Sequence, residues 1–394
     1  MDPLQRRALT NGGIAALLTM LVGFGIVAAV SGGERAATPP SPGPGSPSPT
    51  PPTCAPSWET VPTQDPSEGS NALHDVVALS ATEGWAVGAT GLDPVSPTTA
   101  LVQRWDGVAW TAVEAPSPGS EHNELLAVDD AGPNEVWAVG RTASGFGDRP
   151  LALRFDGTEW TQVDLPSDVT GVLTGVAAIS PSDVWVVGFA GDPAALLERA
   201  LLLHWDGVLW ENVEPGRAVG GGRSLLRDVE ALAATDVWAT GYRQNRPLFI
   251  RFDGEAWNRS ETEVRGVSNA IEPVSPTEAW AVGSPIQWFD GLEWVHAAEL
   301  PRAGELHGVG AVAPDDVWAV GLRLAADEVS TRSLVLRWDG GRWRVVDGPG
   351  VPGSDALMGV DALQDGTVLA VGYRDVAVGR RTLAIRGTTC PGIG

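Results

Sequence analysis

The chain contains two tyrosines, and each is followed by an arginine: Tyr242-Arg243 and Tyr373-Arg374. Both pairs come directly after a glycine that ends an apolar run, and Arg141 and Arg323 sit at or beside the same place in their own runs. Guanidinium groups beside aromatic rings suit a carboxylate, an acidic glycan or a peptide. Arg141, Tyr242, Arg243, Arg323, Tyr373 and Arg374 are therefore the expected ligand-binding set. The plainer account has their stems lying along an edge with their heads in water. A second set is acidic. Asp129, Glu230, Glu272 and Asp361 each lie eight residues before a recurring tryptophan position. Four acids lining one channel are the residue type that holds Ca2+ or a cationic ligand, and solvated walls account for them too. Apart from that Ca2+, no cofactor is expected. His74, His122, His204, His296 and His307 show no metal-ligand spacing, although His74 and His307 are equivalent in their copies. No nucleophile elbow, phosphate loop, dinucleotide fingerprint or zinc motif is present.

The elements that position these residues are copies of one unit, seen most plainly at Leu306–Val346. Leu306–Ala313 alternates with a period of two, as a pleated strand does. Pro314-Asp315-Asp316 is a turn, and Val317-Trp318-Ala319-Val320 is a second strand rich in β-branched and aromatic residues. Leu334–Trp338 is a third, Asp339-Gly340 a hairpin signal, and Arg342–Val346 a fourth. We call these strands a to d. A four-stranded meander buries its faces only by stacking on further copies. The strand-b residue counts them: Trp85, Trp137, Trp185, Trp238, Trp280, Trp318 and, in the seventh copy, Leu369. An acid stands two residues before each of these tryptophans (Glu83, Glu135, Asp183, Asp236, Glu278 and Asp316), and is expected to cap the a–b turn. The Trp-Asp-Gly or Phe-Asp-Gly ending strand c recurs in every full copy, so packing and turn formation explain it better than a site does.

The seventh copy lacks strand d, and Trp58-Glu59-Thr60-Val61 at the other end of the chain has the missing spacing. The N-terminal strand is expected to close the ring. Cys54 and Cys390, the only cysteines, fall where other copies have the Asp-Gly hairpin. A Cys54–Cys390 disulfide there would stabilise by roughly 4–5 kcal/mol in the chain-entropy model.

The formal net charge of −23 argues against nucleic acid. Gly13–Val30 is uncharged and follows Arg6 and Arg7. Its length suits a membrane-spanning helix with the remainder outside, and a cleaved signal peptide is the alternative. The Pro/Ser-rich stretch that follows reads as a semi-rigid stalk. The expected domains are a cytoplasmic 1–12, an anchor 13–30, a stalk 31–53, the repeats 54–390 and a tail 391–394.

Closed in this way, residues 54–390 are similar to seven-bladed β-propellers. The Trp-Asp ending strand c resembles the WD40 family, without that family's Gly-His. The Asp-Gly-x-x-Trp turns resemble sialidase-type Asp-boxes, with one residue fewer between Asp and Trp. The nearer likeness is to exported bacterial repeat proteins built from DVWAVG and RWDGxxW units. The resemblance implies fold and location. The expectation is thus an all-β, seven-bladed propeller of four-stranded blades plus one N-terminal transmembrane helix. It would be a monomer at the cell surface that binds a surface protein, peptide or glycan. The rival is a glycan-acting enzyme using Glu230 and Glu272 as acid and base.

Overall fold

A computed structural model of the protein describes residues 57–388, apart from 92–96, 146, 192–197, 245 and 302. Seven four-stranded antiparallel sheets form the blades. Each strand a packs against strand a of the next blade, and the last meets the first, so the blades form a closed ring. The strands a are Asn71–Ser80, His122–Asp130, Val172–Ser180, Ser224–Ala233, Val267–Ser275, Glu305–Ala313 and Asp355–Ala362. Six blades take their strands in chain order. The seventh pairs Arg380–Thr388 with Ser57–Thr60, which supplies strand d as the sequence implies.

Among the described residues the fold is all-β, without the expected transmembrane helix. The one helix among the described residues is the four-residue Gly216–Val219, and no helix there is long and apolar enough to cross a membrane. The apolar stretch 13–30, the stalk 31–53, Cys54 and Cys390 lie outside the described residues.

Adjacent blades are joined by indoles. The strand-b tryptophan of each blade meets the strand-d tryptophan of the next nearly edge-on: Trp85 with Trp160, Trp137 with Trp210, Trp185 with Trp257, Trp238 with Trp294, and Trp280 with Trp343. Trp318 meets Trp58 at 5.4 Å and 75°, so the N-terminal strand completes the same joint. At the remaining joint Leu369 packs with Trp105 and Trp110. Edge-to-face contact is the arrangement the ring quadrupoles favour.

The repeated acids do not cap the a–b turn. They reach across to strand c. Glu83 bonds Arg104 at 2.7 Å, Glu135 bonds Arg154 at 2.6 Å, Asp236 bonds Arg251 at 2.6 Å and Asp316 bonds Arg337 at 2.8 Å. Each of these guanidinium groups lies over its blade's strand-b tryptophan, 4.2–5.6 Å from the ring centroid. In blade 3 His204 takes this place, held by Asp183 and stacked on Trp185 at 4.2 Å. In blade 5 Trp288 does so and donates to Glu278. The strand-c aspartates are turn residues, as expected. Asp106 Oδ1 accepts the amides of Val108 and Ala109 at 2.8 Å, and the other hairpins repeat this.

Trp318 is fully buried at the closing joint. Trp318→Ala should cost about 3–5 kcal/mol, and Trp58→Ala less, because Trp58 is half-exposed. Denaturant unfolding checks this. A loss at Trp318 no larger than at an exposed hairpin residue would contradict the closure.

Candidate functional site

Every strand a carries a β-bulge at the same place. The register against strand b slips between Leu73 and Asp75, and equivalently at Leu125/Ala127, Leu173/Gly175, Leu226/Asp228, Ser268/Ala270, Leu306/Gly308 and Leu357/Gly359. The residue inside each slip is the extra one, freed from the ladder. These seven side chains, His74, Leu126, Thr174, Arg227, Asn269, His307 and Met358, line a cavity of about 270 Å3 on the ring axis. The glycine after each strand-b apolar run faces the bulge. A Cβ on Gly88 would meet Ala72 O at 2.0 Å, and one on Gly241 would meet Leu225 O at 2.2 Å. The bulge therefore requires glycine opposite it.

Below the bulge ring lie the acids. The inner edge of strand a has no further strand beyond it, and four aspartates satisfy amides there. Asp75 accepts from Val128 N (2.9 Å), Asp129 from Ala178 N (2.7 Å), Asp228 from Ile271 N (2.9 Å) and Asp361 from Ala78 N (2.8 Å). Each bond runs to the following blade, so Asp129 and Asp361 are clips between blades. Glu230 and Glu272 make no such bond. Among the described residues no three His, Cys, Asp or Glu side chains are close enough to hold a metal ion, so Asp129, Glu230, Glu272 and Asp361 are not gathered into a coordination set. Burial pushes these carboxyls up: Asp75 to about 8, Asp228 to about 7, and Asp129, Glu230 and Glu272 well above their ordinary values. Their mutual repulsion adds to the effect.

The six residues expected to bind ligand are spread over blades 2, 4, 6 and 7, and most are engaged. Arg141 is buried and bonded to Glu124 (2.8 Å) and Asp148 (3.2 Å). Glu124 also faces His74 Nε2 at 3.0 Å. Burial alone would raise the Glu124 pKa, but His74 and Arg141 outweigh it and hold it at about 2. Arg243 donates to Gly221 O. Tyr373 lies under Arg380 at 4.1 Å. Arg323 and Arg374 line two outer clefts that share Pro349, Gly350 and Val351. Of the six, Tyr242 lies against Arg227, which lines the axial cavity. Arg223 stands 5.1 Å and Arg227 5.9 Å from its ring.

Arg227, Asn269 and His307 are the residues that sequence reasoning missed, although His307 was already equivalent to His74. The signal was present in the strand-b glycine of all seven copies. A glycine inside a strand marks a bulge or a close backbone approach, and the residue after its strand-a partner is the one expelled toward the axis.

No family model matches the chain, and no curated protein is detectably similar to it. Solved structures are similar in fold. YCF48 bound to D1 peptide is 15% identical with a TM-score of 0.56, over 84% of this chain and 95% of that one. YCF48 from Cyanidioschyzon merolae gives 15% and 0.56, over 84% and 98%. U3-55K gives 10% and 0.58, over 84% and 98%. The chain shares the seven-bladed propeller fold with these proteins.

The raised carboxyls make stability depend on pH. Asp75 holds its proton up to about pH 8 when folded but loses it near 3.8 when unfolded. Stability therefore falls as pH rises from about 4 to about 8, and levels off above that. Asp75→Asn keeps an acceptor for Val128 N and removes the titration. Thermal melts should show a flatter profile for the variant and a higher Tm than wild type at pH 8. An unchanged profile would contradict the shift.

Proposed function

We propose that the protein is a non-catalytic binding module that takes a peptide at the axial mouth, beside Tyr242 and Arg223. The observation that carries this reading is Arg227. Arg227 is half-buried in the cavity lining, its enclosed Nε has no partner, and its guanidinium makes no hydrogen bond or ion pair among the described residues. Leaving an enclosed donor unmet in this way is costly unless something else completes it. The complex of YCF48 with D1 peptide supports a peptide as the ligand class for this fold.

A peptide fits better than a glycan, because the tyrosine faces that a sugar would stack on are already met by cations: Tyr242 by Arg223 and Arg227, Tyr373 by Arg380. The enzyme reading finds less support. An acid–base pair needs two groups whose pKa values are pushed apart, whereas Glu230 and Glu272 are both pushed up by burial.

The module is proposed to work outside the cytoplasm, closed by a Cys54–Cys390 disulfide. The support is the closing register, which pairs Ser57 with Thr388 at the end of the ladder. By numbering, Cys54 comes three residues before Ser57 and Cys390 two after Thr388. Two residues so near the same ladder end suit the short Cα separation a disulfide needs.

On an array of random peptides, Tyr242→Ala should weaken captured sequences about tenfold, the size of one or two lost polar or cation–π contacts. Tyr373→Ala, out on the rim, should leave them unchanged. Equal binding by Tyr242→Ala would count against the mouth. Peptide mapping of the exported protein without reductant should recover Cys54 and Cys390 in one linked fragment, and two free thiols would refute the bridge.

A further inference from the structure

We infer that the axial mouth is a carboxylate receptor, in which Arg227 and His307 take the carboxylate and Asn269 takes a neighbouring N–H of the same ligand. This rests on the peptide-binding reading above and names the group recognised.

The three residues are the bulge residues of blades 4, 5 and 6, so they are consecutive around the axis. Arg227 offers a guanidinium with no hydrogen bond or ion pair among the described residues, and an enclosed Nε. His307 offers an enclosed Nε2 with no partner. Asn269 is 9% exposed. Its amide nitrogen is committed to Leu306 O at 2.8 Å and Glu305 Oε1 at 3.1 Å, which leaves Oδ1 as an enclosed acceptor without a donor. Unmet donors beside an unmet acceptor are the complement of a carboxylate followed by an amide N–H, as a peptide presents it. Buried polar groups are nearly always bonded, and three consecutive bulge residues each leave one unmet.

A structural role for Arg227 would require a protein partner, and the nearby acids are taken. Glu198 holds Arg223 through two bonds, at 2.6 and 2.7 Å. Glu124 holds Arg141 and faces His74. Glu305 is bonded by Asn269 and acts on Arg227 only at longer range. Tyr242 covers the guanidinium on one side without removing its hydrogen-bonding edge. The charge beside the site favours one negative charge over two. Glu305 stands next to it. A phosphate monoester would bring a second charge against that carboxylate.

Three peptides separate the possibilities: acetyl-Gly-Ser-Gly-Ser-Gly with a free C-terminal acid, acetyl-Gly-Ser-Gly-Glu-Gly-Ser-Gly-amide, and the same amide with Gln for Glu. NMR titration of the folded protein reads affinity and the His307 and His74 ring signals together. At least one carboxylate peptide should bind and shift the His307 ring, and the one that binds more tightly identifies a C-terminus or an acidic side chain as the source. The Gln peptide should bind at least tenfold more weakly. Arg227→Gln should lose at least tenfold in affinity, as removal of a charge-assisted bond does, and Glu305→Gln should gain affinity. Arg227→Gln should also melt at or above wild type, because it removes a half-buried cation that no carboxylate bonds; a structural arginine would melt lower when replaced.

Equal binding of the Gln peptide, no binding of either carboxylate peptide at millimolar concentration, or full affinity in Arg227→Gln would overturn the assignment. Tighter binding of a phosphoserine peptide would overturn the ligand class. If array peptides still bind in any of these cases, the binding module stands and the carboxylate inference alone fails. If none binds, both fail.

Discussion

One contact repeats around the ring and sets its geometry: in six of the seven blades the strand-b indole is met edge-on by the strand-d indole of the next. A blade cannot bury its own faces, so each blade's most buried side chain is completed by its neighbour. Aromatic pairs of this kind contribute about 0.5–1.5 kcal/mol beyond their area, and the orientation they prefer fixes how one sheet leans on the next. The closing blade obeys the same rule with a strand taken from the opposite end of the chain. Trp58 lies over Gly387, where a Cβ would meet its ring at 2.9 Å, so the strand-c aromatic of other blades is absent where the borrowed indole needs the space.

The charges around each tryptophan belong to that packing. A carboxylate from strand b aims a strand-c cation at the indole face, which orders the ring and satisfies a half-buried guanidinium at once. Blade 7 shows that the three groups go together. Leu369 replaces the indole, Thr367 replaces the acid, and Arg386 keeps an Nε without a partner. Nearer the axis the same economy of partners turns aspartates into clips between blades, because the innermost strand has amides with no ladder to join. Many ionised side chains are thereby tied to the scaffold.

Much of the architecture was legible in the sequence because it repeats. Six copies of a tryptophan-centred strand, a seventh with Leu369 in that place, six Asp-Gly hairpins and a displaced Trp-x-x-Val specify blade number and closure without any long-range calculation. The repeated acids were visible, but their partner was misjudged. The residue before each Trp-Asp or Phe-Asp is Arg104, Arg154, His204, Arg251, Trp288 or Arg337, and a cation there pairs more strongly with a carboxylate than a turn amide does. The candidate site was only half legible. Tyr242 lies against Arg227, whereas Arg141, from the same expected set, is held elsewhere by Glu124 and Asp148. Arg227 was passed over because a bulge moves one residue off the alternating pattern, and period-two reasoning then assigns it to the wrong face.

The bulge ring gives a stacked scaffold an axial cavity lined by a different set of side chains from each blade. It presents one side chain from each blade to the axial cavity, and those of Arg227, Asn269 and His307 each carry an enclosed polar atom without a partner. The most direct test is a crystal structure with a carboxylate-bearing peptide bound. The account predicts its carboxylate at the mouth, within hydrogen-bonding distance of Arg227 and His307. A peptide lying instead in the outer clefts beside Arg323 and Arg374, with the mouth unchanged, would contradict it.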